Sequence, residues 1–171
     1  MKNAFQLDKD KVIIFIKRKG ELLETVISVQ DFIKVDDHEG YWYAWWSDKT
    51  KSFYVKRNLP KGKSGPVFLH RLIMDDPKGF HVDHIDHNTL NNTRSNLRIL
   101  THAQNQQNRK GARIESRSGI RGVGWHKQKN KWRARVTVNG REHHIGLFEN
   151  IDDAEKAVKE ARKKLTPFSV N

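Results

Sequence analysis

Residues 81–88 have the sequence HVDHIDHN, which packs three histidines and two aspartates into the first seven positions. This density of imidazole and carboxylate groups is typical of metal or acid–base chemistry, because such groups bind cations or exchange protons near neutral pH. Three asparagines, Asn91, Asn92 and Asn96, follow closely. The stretch therefore predicts a functional site, and the residues around it predict the fold that presents the site.

The stretch lies at the end of a predicted strand and continues into a polar loop. Residues 96–100 (NLRIL) contain an apolar alternation that predicts a second short strand. Thr101 and Gln104 have the spacing of a capping box, so we expect a helix that starts at Thr101 and carries Asn105 and Asn108 on one face. The predicted order is strand, loop, strand, helix.

This order and these residues resemble the HNH endonuclease family, whose site is a ββα-metal finger, and in particular the homing-type enzymes of phages and bacteria. The resemblance rests on five short motifs: His70-Arg71-Leu72, Val82 to Asp86 with Asn88, Asn91-Asn92, Asn96-Leu97 and Gln104-Asn105. It implies an enzyme that hydrolyses phosphodiester bonds of DNA, by nicking or by double-strand cleavage.

The resemblance also implies roles for individual residues. Asp83 and Asn105 would hold a divalent metal ion. His84 would be the general base, and Asn96 would tie down the loop and orient His84. His84, Asn96 and Asn105 would be the three motif residues, so this chain has the variant of the motif that ends in asparagine. His87 stands where glycine is usual in the phage enzymes.

The chemistry of these side chains agrees with phosphodiester hydrolysis. A neutral imidazole, with an ordinary pKa of about 6.5, can take a proton from water. One Mg²⁺ or Mn²⁺ ion held by carboxylate and amide oxygens can polarise the phosphate and meet the leaving oxygen, and the rest of its coordination shell stays open. We expect no structural zinc and no small-molecule cofactor.

Several alternatives remain open for these residues. His81, His84 and His87 would suit a zinc or nickel site if this stretch were helical. His70 is either a hydrogen-bonding residue that supports the site or a direct phosphate contact. Asn108 is either a backbone cap or a phosphate contact.

Positive charge is concentrated C-terminal to this segment. The chain of 171 residues has a net charge of +13, and residues 109–147 carry 11 Lys and Arg against 2 acidic residues. Such a field suits a polyanion, so we expect double-stranded DNA as the partner, bound by a monomer. The chain has no cysteine and no apolar run of membrane-spanning length, and residues 1–11 lack the apolar core that is typical of a signal peptide. We expect a cytoplasmic protein with no membrane partner, in a bacterial host if the gene belongs to a phage.

Residues 119–166 have the clearest local pattern. Lys131–Val138 alternate strictly between cationic or polar and apolar side chains, and Asn139-Gly140 suits a type I′ turn into the next strand. With one strand before it, this pattern predicts a three-stranded antiparallel sheet. A helix should follow, with Asp152 as its N-cap and Glu155 as the returning partner.

Three motifs in this segment are distinctive: Gly119 to Val123 with Trp125, Lys131-Trp132, and Ile145-Gly146 with Phe148. They resemble the APETALA/ethylene-response-factor DNA-binding domain of plant transcription factors, relatives of which are fused to HNH nucleases. In that family the sheet lies in the major groove. The resemblance, with strand parity for Arg133, places these residues toward DNA: Arg121, His126, Arg133, Arg135, Thr137 and His144.

The N-terminal residues predict a small β-rich region. Four runs, KVIIFIKR, LLETVISV, YWYAWW and SFYVKR, lie between residues 11 and 57 and are separated by turn-forming clusters. The aromatic run at residues 41–46 is either core or a platform on which bases stack. Residues 59–66 (LPKGKSGP) predict a boundary. This region either positions the nuclease unit or lengthens the DNA footprint.

We therefore expect an α+β protein in four parts. These are a β-rich region (1–66), an HNH nuclease unit (67–109), a basic linker (110–118), and a DNA-binding domain of three strands and a helix (119–166). The expected function is a metal-dependent DNA endonuclease of the homing type. The alternatives are a DNA-binding regulator with an inactive HNH unit and, more weakly, a protein that binds or cleaves RNA.

Overall fold

The computed structural model describes residues 1–37, 40–59, 65–107 and 116–166. The chain divides into two compact units, Met1–Thr101 (unit 1) and His102–Asn171 (unit 2). Both combine helices with antiparallel strands, so the predicted α+β class is confirmed. No helix among the described residues has the length and apolar character needed to cross a membrane. Most of the predicted linker, residues 110–118, lies outside the described residues, as does Asn108.

The described residues of unit 1 form nine short strands and two short helices. The strands are β1 (Phe5–Asp8), β2 (Lys11–Arg18), β3 (Glu21–Ser28), β4 (Tyr43–Ser47), β5 (Ser52–Asn58), β6 (Pro66–Phe68), β7 (His81–His84), β8 (Asn91–Asn92) and β9 (Leu97–Leu100). The helices are α1 (Phe32–Asp36) and α2 (Leu69–Ile73), and 3₁₀ turns span Val29–Asp31 and Arg94–Asn96.

Three sheets organise these strands. β1, β2, β3 and β8 form one sheet in that order, antiparallel except for the parallel pair β3–β8. β4, β5 and β6 form an antiparallel sheet, and β7 pairs with β9. The predicted strand–loop–strand arrangement is therefore present, and its loop contributes β8 to the N-terminal sheet.

One hydrophobic core serves all of unit 1. Val12 and Ile14 of β2 are fully buried, and they belong to the same cluster as Leu69 and Ile73 of α2 and Leu97 of β9. Burying each such side chain contributes about 1.5–3 kcal/mol. The N-terminal strands and the segment after residue 66 are thus stabilised together. The boundary predicted there falls inside one compact unit, between the paired strands β5 and β6.

Unit 2 contains the predicted sheet and helix. Its elements are α3 (His102–Gln107), β10 (Val123–His126), β11 (Lys131–Val138), β12 (Arg141–Phe148) and α4 (Ile151–Leu165). The strands form an antiparallel sheet in chain order. Asn139 and Gly140 have positive φ values of 49° and 79°, as a type I′ turn requires.

Helix α4 begins earlier than its sequence pattern predicts. Its N-cap is Asn150, whose side chain accepts a hydrogen bond from the Asp152 backbone nitrogen at 2.9 Å. The prediction of Asp152 as N-cap was therefore wrong by two residues. Asn150 has an extended backbone suited to a cap, which leaves Asp152 in the first turn, where its charge complements the helix dipole.

Helix α4 covers one face of the sheet. Ala154 and Val158 are fully buried and pack with Ala134 and Val136 of β11. Lys131, Arg133, Arg135 and Thr137 point to the other face, because successive strand residues alternate. The cationic residues of β11 are consequently on the face that α4 does not cover.

Candidate functional site

Asparagine and aspartate side chains hold the polar loop between β7 and β9. The Asn96 amide donates to Asp86 Oδ1 and to the Asn91 carbonyl, both at 2.8 Å, and its oxygen accepts from the Asp86 backbone nitrogen at 3.0 Å. Burial raises the pKa of Asp86, but hydrogen bonds from Asn91, Asn88 and Asn96 outweigh it and hold that pKa below its ordinary value. Asn96 therefore ties the loop together, as the sequence motif implies for this position.

The His84 ring is held by a different asparagine. His84 and Asn92 are 4% and 1% exposed, and His84 Nε2 lies 3.1 Å from Asn92 Oδ1. Asn92 Nδ2 donates to Thr25 Oγ1 on β3 at 2.8 Å and to the Thr89 carbonyl at 3.4 Å. The Thr25 hydroxyl donates to the Leu90 carbonyl at 2.7 Å. The N-terminal sheet thus positions the ring through one buried amide.

The directions of these bonds determine which nitrogen of His84 carries the proton. A carbonyl only accepts, so the Thr25 hydroxyl donates to Leu90 and its oxygen accepts from Asn92. The Asn92 oxygen then faces His84, which donates from Nε2. Nδ1 then carries the lone pair and makes no hydrogen bond to the described residues. It is not one of the fully buried atoms that lack a hydrogen-bond partner, so it remains accessible. A neutral ring with an accessible lone pair is the form that a general base requires.

A second imidazole, His70 at the start of α2, lies beside His84. The two ring centroids are 5.2 Å apart, and the Tyr54 ring lies 5.7 Å from His70 and 6.2 Å from His84. His70 makes no hydrogen bond through its ring to the described residues. Burial, reinforced by the positive charges of His84 and Arg71, lowers the pKa of His70 to about 3.

Burial also lowers the pKa of His84. The hydrogen bond to Asn92 and the charges of Asp83 and Asp86 act in the opposite direction but do not cancel the effect of burial. Both imidazoles are therefore neutral in the range where a histidine with an ordinary pKa would begin to gain a proton.

Asp83 points away from the side of β7 that carries the His84 ring, because neighbouring strand residues alternate. Its Oδ2 accepts hydrogen bonds from Arg98 Nε and Nη2 at 3.0 and 2.9 Å. Arg98 occupies the paired position on β9. The carboxylate is thus held in one orientation at the end of the two-stranded sheet.

The zinc or nickel alternative required a helix at residues 81–87. His81–His84 is instead a strand, on which His81 and His84 point to opposite faces. No three histidine or acidic side chains within the described ranges converge on a point that could hold a metal ion. The His87 backbone is left-handed, with φ of 62°, so this position keeps the conformation for which glycine is preferred.

The candidate metal ligand Asn105 lies on α3, which belongs to unit 2. The other candidate ligand, Asp83, belongs to unit 1. Asn108 falls outside the described residues.

Five of the six residues predicted to face DNA share the sheet face opposite α4. They are Arg133, Arg135 and Thr137 on β11, His126 at the position paired with Lys131, and His144 at the position paired with Arg135. The sixth, Arg121, lies in the turn before β10, where its carbonyl accepts a hydrogen bond from Arg162 of α4. Burial and the nearby charge of Arg121 lower the pKa of Arg162 to about 10.

The two arginines on this face of β11 differ in whether they form an ion pair. Arg135 forms an ion pair with Glu142 on β12. Arg133 has no acidic partner among the described residues, and it lies in the middle of the sheet between Gly124 and Leu147. Of the two arginines of β11, Arg133 is therefore the one that no ion pair engages among the described residues.

Comparison with known proteins agrees with this geometry. Residues 67–107 match the family model described as HNH endonuclease, so the chain carries an HNH endonuclease domain. The matched residues include α2, both strands of the β7–β9 pair and α3.

Two viral proteins are similar to parts of the chain. An uncharacterised HNH endonuclease of Acanthamoeba polyphaga mimivirus is 38% identical over 119 residues, which are 68% of this chain and 58% of that protein. Protein 3.8 of Escherichia phage T7 is 40% identical over 69 residues, which are 40% of this chain and 56% of that protein. The chain thus spans a little over half the length of these curated relatives. No solved structure matches it significantly.

The role of Asn92 in holding His84 was not predicted from the sequence, in which Asn91-Asn92 was interpreted only as part of the HNH-like motif. The role of Asn92 depends on the pairing of Asn91–Asn92 with β3, which brings the Asn92 side-chain amide to Thr25. The hydrogen bond from Asn92 to Thr25 joins residues 67 positions apart. No local pattern of the sequence contains it.

The depressed pKa of His70 predicts that unit 1 loses stability in mild acid. The unfolded chain binds a proton at this histidine below pH 6.5, whereas the folded chain does so only near pH 3. Between these values the free energy of unfolding should fall by up to about 1.4 kcal/mol per pH unit for this group. Urea unfolding of the wild type and His70→Gln at several pH values measures the difference. Equal pH slopes for both proteins would contradict the prediction.

Replacing Asn92 tests the assigned tautomer. Nitrogen-15 NMR of the imidazoles should show Nε2 protonated in His84 of the wild type. In Asn92→Ala the single tautomer should be lost and the pKa of His84 should fall further, because the bond that raises it is gone. His126 and His144 in unit 2 are internal controls that should not change. A wild-type ring protonated at Nδ1 would be incompatible with the proposed network.

Proposed function

We propose that the protein is a DNA endonuclease that hydrolyses phosphodiester bonds, with His84 as its general base. One observation carries the proposal: a buried His84 ring is held by Asn92 with Nδ1 unprotonated and accessible. It lies within a segment that matches HNH endonucleases. The two viral relatives support a virus-borne enzyme, and the sequence motifs resemble those of homing-type HNH enzymes.

The His84 imidazole accepts a proton from the attacking water at Nδ1. Its lowered pKa keeps this nitrogen unprotonated at neutral pH, and the buried hydrogen bond from Nε2 to Asn92 prevents the ring from turning. Proton transfer from a positioned side chain of this kind contributes about 10²–10⁴-fold to rate. Asn96 assists by fixing the loop that follows His84.

Asp83 and His84 are consecutive residues at the end of β7, where the polar loop begins. The attacking and leaving oxygens lie on opposite sides of phosphorus in an in-line displacement, so a base and a metal ion would have separate roles there. A divalent ion of the Mg²⁺ or Mn²⁺ kind, which HNH nucleases generally use, would be held by Asp83 and Asn105 and would stabilise charge on the leaving oxygen.

The donor chemistry of the chain fits such an ion. Carboxylate and carboxamide oxygens are hard ligands, and Mg²⁺ is commonly held by one or two carboxylates with water and substrate phosphate as the remaining ligands. Arg98 fixes the orientation of the Asp83 carboxylate through Oδ2.

We further propose that the sheet of unit 2 holds duplex DNA in the manner of the APETALA/ethylene-response-factor domain. The support is the grouping of Arg133, Arg135, Thr137 and His144 on the sheet face that α4 leaves uncovered. An antiparallel sheet of this size can enter the major groove, where arginines contact base edges and phosphates.

Replacing His84 tests the catalytic role. His84→Ala should lower the nicking of supercoiled plasmid in the presence of Mg²⁺ by about 10²-fold or more, because the base is removed. Its DNA affinity should stay close to that of the wild type. His81→Ala is the matched control, since His81 lies on the same strand and points to the other face. Each protein is assayed with Mg²⁺ and with chelator.

Two outcomes would contradict the enzyme proposal. Equal cleavage by the wild type and His84→Ala would show that the base lies elsewhere. Tight DNA binding by a wild type that never cuts would favour a DNA-binding regulator with an inactive HNH unit. A preference for RNA in the same assays would contradict the assignment of DNA as substrate.

Neutralising Arg133 tests the DNA face of unit 2. Arg133→Ala should weaken duplex binding and reduce the slope of log affinity against log salt by about 0.9, the value for one phosphate contact on duplex DNA. Arg135→Ala should have a smaller effect, because Glu142 already competes for this cation. Lys159→Ala on α4, paired with Glu155, is the control that should leave the slope unchanged. An unchanged slope in Arg133→Ala would argue against the proposed interface.

A further inference from the structure

One face of the β4–β5–β6 sheet carries an aromatic surface. The strand register pairs Tyr43 with Lys56, Trp45 with Tyr54, and Lys56 with Phe68. Paired residues point to the same side of a sheet. We call these five residues the aromatic face.

The aromatic face is not part of the core of unit 1. The opposite side of the same sheet provides core residues, including Val55. Trp45 is 41% exposed. The rings of Trp45, Tyr54 and Phe68 contact one another, with centroids 6.1–6.5 Å apart. The other four residues of the aromatic face are half-buried. Aromatic side chains that remain partly exposed together outside the core form a candidate binding surface.

The aromatic face continues directly to the candidate catalytic residue. The Tyr54 ring lies 6.5 Å from Trp45 on one side and 6.2 Å from His84 on the other. Phe68 makes a second connection, because its ring lies 5.6 Å from His70. A strand of nucleic acid whose phosphate lies at His84 would therefore place its neighbouring nucleotides within reach of these rings.

Lys56 gives the aromatic face a positive charge, which favours the binding of an anionic chain. Lys56 Nζ lies 4.5 Å from the Trp45 ring centroid and 5.8 Å from those of Tyr43 and Phe68. No acidic side chain of the described residues pairs with Lys56. The other β4–β6 residues on this side are neutral. Aromatic rings interleaved with a cation are the usual elements of a surface that binds single-stranded nucleic acid.

We propose that the aromatic face binds unpaired bases of the DNA strand next to the phosphate at His84. Bases within a duplex stack on each other, so aromatic side chains can stack only on bases that are unpaired or turned outward. The face therefore selects a locally single-stranded segment, whereas unit 2 holds duplex. The inference rests on the proposed function, because it takes the bound strand to be the substrate.

The test compares two tryptophans of the same strand. Trp45 lies on the aromatic face, and Trp46 is 39% exposed on the opposite side of β4, where it packs on Phe53. Full-length Trp45→Ala and Trp46→Ala are titrated into a fluorescein-labelled oligothymidylate and a labelled duplex, with chelator present so that no cleavage is needed. Fluorescence anisotropy reports affinity, and Trp45→Phe tests whether a smaller ring suffices.

Trp45→Ala should bind the oligothymidylate about ten-fold more weakly than the wild type, because one base-stacking partner is lost. Trp45→Phe should recover most of this affinity, and Trp46→Ala should bind like the wild type. Duplex affinity should be nearly equal in all four proteins. A matching thermal unfolding curve for each variant confirms that the variants are folded.

Equal oligothymidylate affinity for Trp45→Ala and the wild type would overturn the inference, as would equal losses in both tryptophan variants. The result is independent of catalysis. A chain that cuts DNA without a Trp45 effect contradicts the inference alone. A Trp45 effect in a chain that never cuts supports the binding surface and contradicts the proposed enzyme.

Discussion

The buried amide of Asn92 is the interaction on which the candidate site depends. It joins the hydroxyl of Thr25, on the N-terminal sheet, to the ring of His84, at the end of β7. Because every group in this chain of hydrogen bonds is inside the protein, losing one partner would leave another unsatisfied at a cost of about 1–3 kcal/mol. The same bonds determine the protonation of the imidazole, so folding and reactivity are specified by one set of contacts.

Burial affects charged groups differently in unit 1 and in unit 2. In unit 1 it suppresses positive charge, since His70 and His84 both have lowered pKa values. In unit 2 α4 covers the apolar face of the sheet, and the arginines of β11 stay on the opposite face. The chain thus keeps the two buried imidazoles of unit 1 neutral and leaves the arginines of β11 on the uncovered face of the unit 2 sheet.

Local patterns predicted much of this structure. The alternation in residues 131–138 and the Asn139-Gly140 turn were enough for the C-terminal sheet, and the histidine-rich stretch was enough for the strand–loop–strand order. Long-range contacts could not be predicted in this way. The parallel pairing of β8 with β3 is two residues long, and it decides the role of Asn92. The aromatic run at residues 41–46 also divided in a manner its composition did not reveal, with Trp42 in the core and Trp45 exposed.

The common core of unit 1 limits how its gene can be rearranged. Leu69, Ile73 and Leu97 belong to the same core as the buried side chains of β2, and the loop that carries the motif completes a sheet begun by residues 5–28. A recombination breakpoint just upstream of residue 67 would leave these apolar surfaces uncovered. A cassette of residues 67–107 grafted into another scaffold would therefore need a replacement for β3.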